Sequence, residues 1–220
     1  MTLDEIAYNI LNLLRKGRSS NDELISLDQL KFNIKHYRAM LIRRDYARNG
    51  YVSNHLEQDL GCLDLERVDA SKCCNLPTDC VVYKTKQKPP KTVRFNFKDA
   101  FTFIGKPNGT GVIPRVNPYE IEYLMYDKYT SLHTKYYVID DYIYVYNPNG
   151  LEAINVRGVF EDPEDVAEFA TCESDFCYDE QSPFPMPMDM VSFITSSLAA
   201  GELQLLASGV NDTTNDRQQN

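Results

Sequence analysis

The feature that most constrains the fold is the stretch of residues 26–48, which carries the longest helical pattern in the chain. Ser26 is followed three positions later by Gln29, a spacing typical of a capping box at a helix N-terminus. Apolar side chains then recur on one face at the 3.6-residue period. They are Leu30, Ile34, Tyr37 and Leu41. Such a face needs a hydrophobic partner, so the pattern predicts a helix that packs against other helices.

The opposite side of this predicted helix is basic. It carries six Lys and Arg side chains against two Asp side chains, although the net charge of the whole chain is −9. We define five of these cations as the basic strip and predict that they make contacts with other subunits. The basic strip consists of Lys31, Lys35, Arg38, Arg43 and Arg44.

A second helix is predicted at the N-terminus. Thr2 and Glu5 have capping-box spacing, and Gly17 is placed to end the helix in the left-handed conformation. Its apolar face would consist of Leu3, Ile6, Ala7, Ile10, Leu13 and Leu14. Because residues 17–25 are polar, we expect residues 1–50 to form an αα-hairpin.

Helix is also predicted in residues 161–207. Pro163 begins a short acidic helix, and a longer one follows whose apolar face should pack on the N-terminal helices. That face consists of Met190, Ile194, Leu198 and Leu205. Residues 208–220 contain one aliphatic residue, which predicts a disordered tail.

Residues 51–160 have a β-rich pattern instead. Apolar and polar residues alternate in 93–97 and in 101–103, and Asn117-Pro118 is typical of the start of a short helix. The sequences KYYVI and YIYVY flank a two-residue turn, Asp140-Asp141, and a third strand follows Gly150. This order predicts a three-strand antiparallel meander, with Gly158 as a bulge. The predicted fold class is therefore α+β, a helical body with an antiparallel β-rich region inserted in its middle.

Five of the 15 tyrosines crowd the predicted hairpin. One face of the hairpin can pack inward and leave amphipathic rings on the other, a composition favoured at protein interfaces. The candidates for such an interface are Tyr142, Tyr144 and Tyr146. The alternative is that loops of the same chain cover this face.

Few features of the sequence indicate catalysis, cofactor binding or metal binding. The glycine-rich residues 105–111 lack the order of a P-loop and are interpreted as a hairpin loop, and no nucleophile, base or cofactor constellation is apparent. Cysteines cluster at Cys73, Cys74 and Cys80 and recur at Cys172 and Cys177, but not with the regular paired spacing of structural zinc sites. We therefore expect no enzyme, no cofactor and no metal, and keep a metal-stabilised protein-binding module as the alternative.

The ends of the chain have opposite charge. Residues 1–50 hold nine basic and six acidic side chains, whereas residues 161–220 hold one basic and 13 acidic side chains. This polarity suits head-to-tail contacts between copies. The alternative is a solvated acidic tail. No apolar run is long enough to span a membrane, and the acidic N-terminus is unlike a signal peptide, so we expect no membrane association.

The strings TLDEIAYNILNLLRKG, SLDQLKFNIKHYRAMLIRRD, INVRGVFEDPEDVAEF and FPMPMDMVSFITSSLAAGELQLL, in this order, are similar to structural proteins of crAss-like, short-tailed phages. Within that group the chain resembles the ring or adaptor protein of the head–tail connector, akin to the tail accessory factors of other podoviruses. The resemblance does not extend to residues 71–92.

The resemblance implies a virion protein of the phage neck or tail, assembled in the host cytoplasm. It implies a homo-oligomeric ring of about twelve copies that binds below the portal protein. Such a ring would extend the channel through which double-stranded DNA passes without specific binding, and would receive further ring or tail proteins.

Overall fold

The computed structural model describes residues 1–14, 26–69, 81–95, 98–124, 126, 128–129, 132–169 and 183–200. The chain divides into two compact units, Met1–Arg44 with Asp179–Asn220 and Asp45–Tyr178. The predicted α+β fold class is confirmed, with helices from both ends of the chain and an antiparallel sheet from its middle. The predicted connection at 17–25 and the predicted disordered tail at 208–220 lie outside the described residues.

The first unit contains helix α1 (Leu3–Leu14), most of helix α2 (Leu27–Asn49) and the C-terminal helix that we label α5 (Met188–Ala200). Both predicted caps form. The Glu5 N–H donates to Thr2 Oγ1 at 3.1 Å while the Thr2 N–H donates to the Glu5 carboxylate at 3.0 Å, a complete capping box. The Gln29 N–H donates to Ser26 Oγ at 3.1 Å.

The core of the first unit contains apolar side chains from all three helices. They are Leu3, Ile6, Ala7, Ile10, Leu11, Leu30, Ile34, Leu41, Ile42, Met190, Ile194 and Leu198. On α2, Tyr37 is half-buried and Ile42 is buried, although the predicted face contained Tyr37 and not Ile42. On α1, Leu13 is exposed, and Leu11 is buried in its place. The reason is that Leu11 lies one turn beyond Ala7, in the centre of the buried face. Leu205 lies outside the described residues.

The second unit contains a six-stranded sheet with strand order β5-β8-β1-β2-β7-β6 and a separate two-stranded sheet, β3-β4. The strands are β1 (Gln58–Asp69), β2 (Val81–Thr85), β3 (Arg94–Phe95), β4 (Lys98–Asp99), β5 (Phe101–Gly105), β6 (Lys135–Ile139), β7 (Tyr142–Tyr146) and β8 (Ala153–Gly158). All strand pairs are antiparallel. The core of this unit is centred on Leu60, Ile104, Ile143, Ile154, Val156 and Phe160.

The predicted meander is wrong in its third strand. β6 and β7 form the predicted hairpin, and Asp140 and Asp141 have the positive φ angles, 54° and 65°, that its two-residue turn requires. β8 does not pair with β7, because the long strand β1 and its neighbour β2 lie between them. Residues 58–64 of β1 pair with β8 and residues 65–69 pair with β2.

Gly158 lies opposite irregularities in both neighbouring strands. The register shifts between Asp59 and Gly61 on β1, and between Phe101 and Phe103 on β5. A Cβ atom on Gly158 would lie 2.9 Å from the Ala100 carbonyl oxygen. The bulges are thus on the flanking strands, and the glycine allows the backbone of the neighbouring segment to approach closely.

The connections between strands include the predicted short helix and hairpin loop. Asn117 Oδ1 accepts from the Tyr119 N–H, and a 3-10 turn (Pro118–Glu120) leads into helix α3 (Ile121–Leu124). Residues 105–111 form a hairpin loop, after which the Ile113 N–H donates to the Ile104 carbonyl at 2.8 Å. Pro163 begins the short helix α4 (Pro163–Phe169). Among the described residues, no helix combines the length and apolar character that a membrane span needs.

Candidate functional site

Arg38, predicted as part of the basic strip, is buried. Its side chain is 0% exposed, its Nε donates to the Pro185 carbonyl at 3.0 Å, and its guanidinium lies 5.6 Å from the ring centroid of Phe184. The physical reason is its position, because Arg38 follows Leu30 and Ile34 at four-residue intervals on the buried face of α2. Arg38 therefore holds the chain before α5 inside the first unit and does not belong to the exposed strip.

The other cations of the basic strip are more accessible. Lys31 and Lys35 are half-buried, and Lys31 forms an ion pair with Asp4 of α1. Arg43 and Arg44 are exposed, and the Arg44 guanidinium lies 4.7 Å from the ring centroid of Phe193 on α5. Their role in subunit contacts stays a prediction.

An exposed row of side chains runs along α2 beside these cations. Phe32, His36, Met40 and Arg43 follow one another at helical spacing, and we define them as the α2 outer row. Phe32 is 68% exposed and Met40 is 46% exposed. The Phe32 and His36 rings are parallel within 9°, with centroids 6.4 Å apart. This surface therefore combines exposed apolar groups with a positive charge.

The tyrosines of the β6–β7 hairpin lie in a packed environment. Tyr142, Tyr144 and Tyr146 are half-buried on one face of β7, while Ile143 and Val145 point into the core. Tyr144 stacks on Tyr137 of β6 with 5.2 Å between ring centroids. The predicted interface role of the three candidates remains a prediction, since these rings already contact their own sheet.

Two lysines lie on the same face of the sheet as these tyrosines, one on β2 and one on β6. Lys84 of β2 lies with its Nζ 4.9 Å from the Tyr142 ring centroid and 3.1 Å from the Glu66 carboxylate. The hydrogen bond to Glu66 raises the pKa of Lys84. Lys135, opposite Tyr146, is 4% exposed, and its Nζ has no hydrogen-bond partner among the described residues. This face therefore contains one lysine paired with a carboxylate and one buried lysine.

A second group of tyrosines, which the sequence analysis did not single out, is far more exposed. We define the tyrosine arm as residues 117–132, between the β5 hairpin and β6. Its exposed large side chains are 75% to 86% accessible. They are Tyr119, Tyr123, Tyr126, Tyr129 and Leu132. The tyrosine spacing of three and four residues was visible in the sequence, but nothing in the sequence indicated how exposed these rings are.

A cleft of about 540 Å³ lies at the base of the tyrosine arm. It is lined by Phe101, Val116, Pro118, Glu120, Tyr136 and Val138, together with Arg115 and Asp99, which pair at 3.0 Å. Burial raises the pKa of Tyr136. Since the Arg115 and Asp99 charges are paired with each other, the cleft resembles a packing feature more than a reactive site.

Within the part of the chain that the structure describes, no group of three or more His, Cys, Asp and Glu side chains is arranged to hold a metal ion. Cys62 lies in β1, with its Sγ 3.9 Å from the Pro107 carbonyl oxygen. Cys73, Cys74, Cys80, Cys172 and Cys177 lie outside the described residues.

Exposed aromatic and apolar side chains thus lie on α2 and on the tyrosine arm. The model of a family described as phage tail ring protein 2 (CrAss_Ring_2) matches residues 5–220. No curated protein matches the chain. The resemblance that the sequence carried is thus confirmed over almost the whole length, and the chain belongs to the crAss-like phage tail ring protein 2 family.

Proposed function

We propose that the protein forms a homo-oligomeric ring in the head–tail connector of the virion. The ring binds below the portal protein, extends the DNA channel and receives further ring or tail proteins. The observation that carries this proposal is the family match over residues 5–220. The exposed rings on α2 and on the tyrosine arm support it, because large exposed apolar groups mark protein–protein contacts.

The charge distribution supports the proposal that DNA passes through the ring without tight binding. Each Lys or Arg contact with a phosphate adds a salt-sensitive interaction that would slow translocation. The net charge of the chain is −9, and cations of the basic strip already contact protein groups. Lys31 pairs with Asp4, and the Arg44 guanidinium lies over the ring of Phe193. We therefore assign the accessible cations of the basic strip to contacts between subunits or with the portal, and not to DNA. They are Lys31, Lys35, Arg43 and Arg44.

Several finer features belong to the same proposal. About twelve copies would match the portal symmetry usual in such phages, and head-to-tail contacts between identical subunits can close a ring of that size. We propose assembly in the host cytoplasm before incorporation into the virion neck. We also propose that the protein works by assembly alone, without catalysis.

The test uses two variants with equal changes of charge. Arg43→Glu/Arg44→Glu reverses the exposed end of the basic strip, and Lys91→Glu/Lys106→Glu reverses two exposed lysines of the second unit. Arg38 is unsuitable because it is buried. Co-sedimentation with portal-bearing heads should fall for the first variant only, while circular dichroism shows both folded.

DNA binding gives the opposing outcome. If the strip lined the channel and touched DNA, the Arg43/Arg44 variant would still join the heads, and the wild type alone would retard duplex DNA at physiological salt. Failure of the wild type itself to join portal-bearing heads would overturn the adaptor role.

A further inference from the structure

We propose that the tyrosine arm of one copy docks on the α2 outer row of the neighbouring copy. This inference deepens the proposed function and rests on its ring of identical copies. It names the two surfaces that meet at each subunit boundary. The arm belongs to the second unit and the outer row to the first, so one copy presents both.

The arm has the composition of an interface core. Tyr119, Tyr123 and Tyr126 are 86%, 78% and 86% exposed, values far above those of the half-buried hairpin tyrosines. Tyrosine offers a large apolar area with only two side-chain torsions to fix, and its hydroxyl can still hydrogen-bond. Several such rings, together with Leu132, are exposed within one short segment, and clustered exposed apolar side chains are typical of surfaces that partners cover.

The α2 outer row offers the matching chemistry. Phe32 and Met40 supply exposed apolar surface, and Arg43 supplies a guanidinium at the end of the row. Guanidinium groups stack on tyrosine faces, and methionine packs well at aromatic edges. The outer row therefore pairs with aromatic rings better than with an aliphatic surface.

Charge favours the same pairing. Residues 117–132 carry three acidic side chains and one basic side chain, whereas α2, apart from the buried Arg38, carries five basic and two acidic side chains. Opposite net charges steer the two surfaces together and disfavour contact of arm with arm or of α2 with α2.

Symmetry then distinguishes a ring from a dimer. A contact between two different patches is heterologous and continues from copy to copy until the ring closes, whereas a self-complementary patch ends at a dimer. The arm and the outer row differ in sequence, charge and shape. Their contact is therefore of the ring-forming type.

The test places a photo-crosslinker, benzoylphenylalanine, at Tyr123 of the full-length protein. Isotopically light and heavy chains are mixed, so that a link between copies is recognised by its mass. Illumination should join Tyr123 of one copy to α2 peptides containing Phe32 to Arg43 of another. The same probe at Tyr51, which is 70% exposed outside the arm, is the control and should give no such link.

Variants measure the contribution of each surface. Tyr119→Ser/Tyr123→Ser/Tyr126→Ser should raise the concentration for half-assembly about tenfold or more in sedimentation experiments, as expected for loss of central aromatic anchors. Tyr51→Ser should leave it unchanged. The single changes Glu120→Arg and Arg43→Glu should each weaken assembly, and the double variant should recover part of the loss. Normal urea midpoints would show that the variants remain folded.

The outcomes separate this inference from the proposed function. Arm links to residues 161–220, arm links to another arm, or normal assembly of the triple serine variant would each overturn the docking of the arm on α2. Absence of any link between copies, both in free protein and on portal-bearing heads, would overturn it as well. If arm links to α2 form between copies but the wild type does not join the heads, the adaptor role fails and this inference stands.

Discussion

The two tyrosine clusters contain the same residue type in opposite surroundings. In the β6–β7 hairpin, Tyr137 and Tyr144 stack on each other, and neighbouring strands cover the rings to half or more. In the tyrosine arm, Tyr119 and Tyr126 are each 86% exposed. Tyrosine content alone therefore does not identify an interface. The hairpin rings lie beside strand partners, while no described segment of the chain covers Tyr119 or Tyr126.

The largest effect is expected in α2, where a buried and an exposed face can be compared on one helix. Ile34 is fully buried, so Ile34→Asp should place an unpaired charge in the core and cost about 4 kcal/mol or more. Met40→Asp, on the outer row, should cost less than about 0.5 kcal/mol. Urea melts of both variants measure this. Equal urea midpoints for Ile34→Asp and the wild type would mean that the apolar face of α2 does not lie in the core.

The two tyrosine clusters can be compared directly by truncation. Tyr137→Ala removes a buried ring that stacks on Tyr144 and should lower the free energy of unfolding by about 3 kcal/mol. Tyr126→Ala should change it by less than about 0.5 kcal/mol but should weaken assembly. Denaturation and sedimentation of the two variants check this. The comparison fails if the arm variant is the less stable of the two.

A smaller effect of opposite sign is expected at Lys135. Its buried Nζ has no hydrogen-bond partner among the described residues, so Lys135→Met should raise the free energy of unfolding by about 1 kcal/mol. Lys98→Met, at an exposed position, is the control and should have little effect. A loss of stability in Lys135→Met would show that the ammonium group is needed at this face of the hairpin.

The smallest effect concerns alkaline pH. Burial raises the pKa of Tyr136 above its usual value of 10.0, so the folded chain holds this proton more tightly than the unfolded chain does. Stability from this group is complete below pH 10 and is lost as the pH rises above it. Tyr136→Phe should therefore reduce the fall in urea midpoint above pH 10. Some fall should persist, because the raised pKa of Lys84 acts in the same direction.

The helix starts were predicted correctly because their capping signals depend on residues within a single turn. Thr2 with Glu5 and Ser26 with Gln29 act within one turn, and the caps form as the spacing indicates. The β6–β7 hairpin is equally local, since its two-residue turn fixes the register of the strands that it joins.

Strand β1 was not predicted because a bulge interrupts the alternation of apolar and polar residues along it. Gly61 has a φ of 72°, and its N–H donates to the Asp59 carboxylate at 2.8 Å. As a result Leu60 and Leu63 are both buried although they are three residues apart. Without β1 in view, the nearest partner for β8 was β7, which led to the incorrect meander.

The α+β class, the helix starts, the hairpin turn and the family could therefore be read from the amino-acid sequence alone. These features depend on contacts within a few residues or on the order of strings along the chain. Only the tertiary structure decided the strand order, the burial of Arg38 and the exposure of the tyrosine arm. Each of these depends on which distant segment covers a surface: Pro185 accepts a hydrogen bond from Arg38, β1 separates β8 from β7, and no described segment of the chain covers Tyr119 or Tyr126.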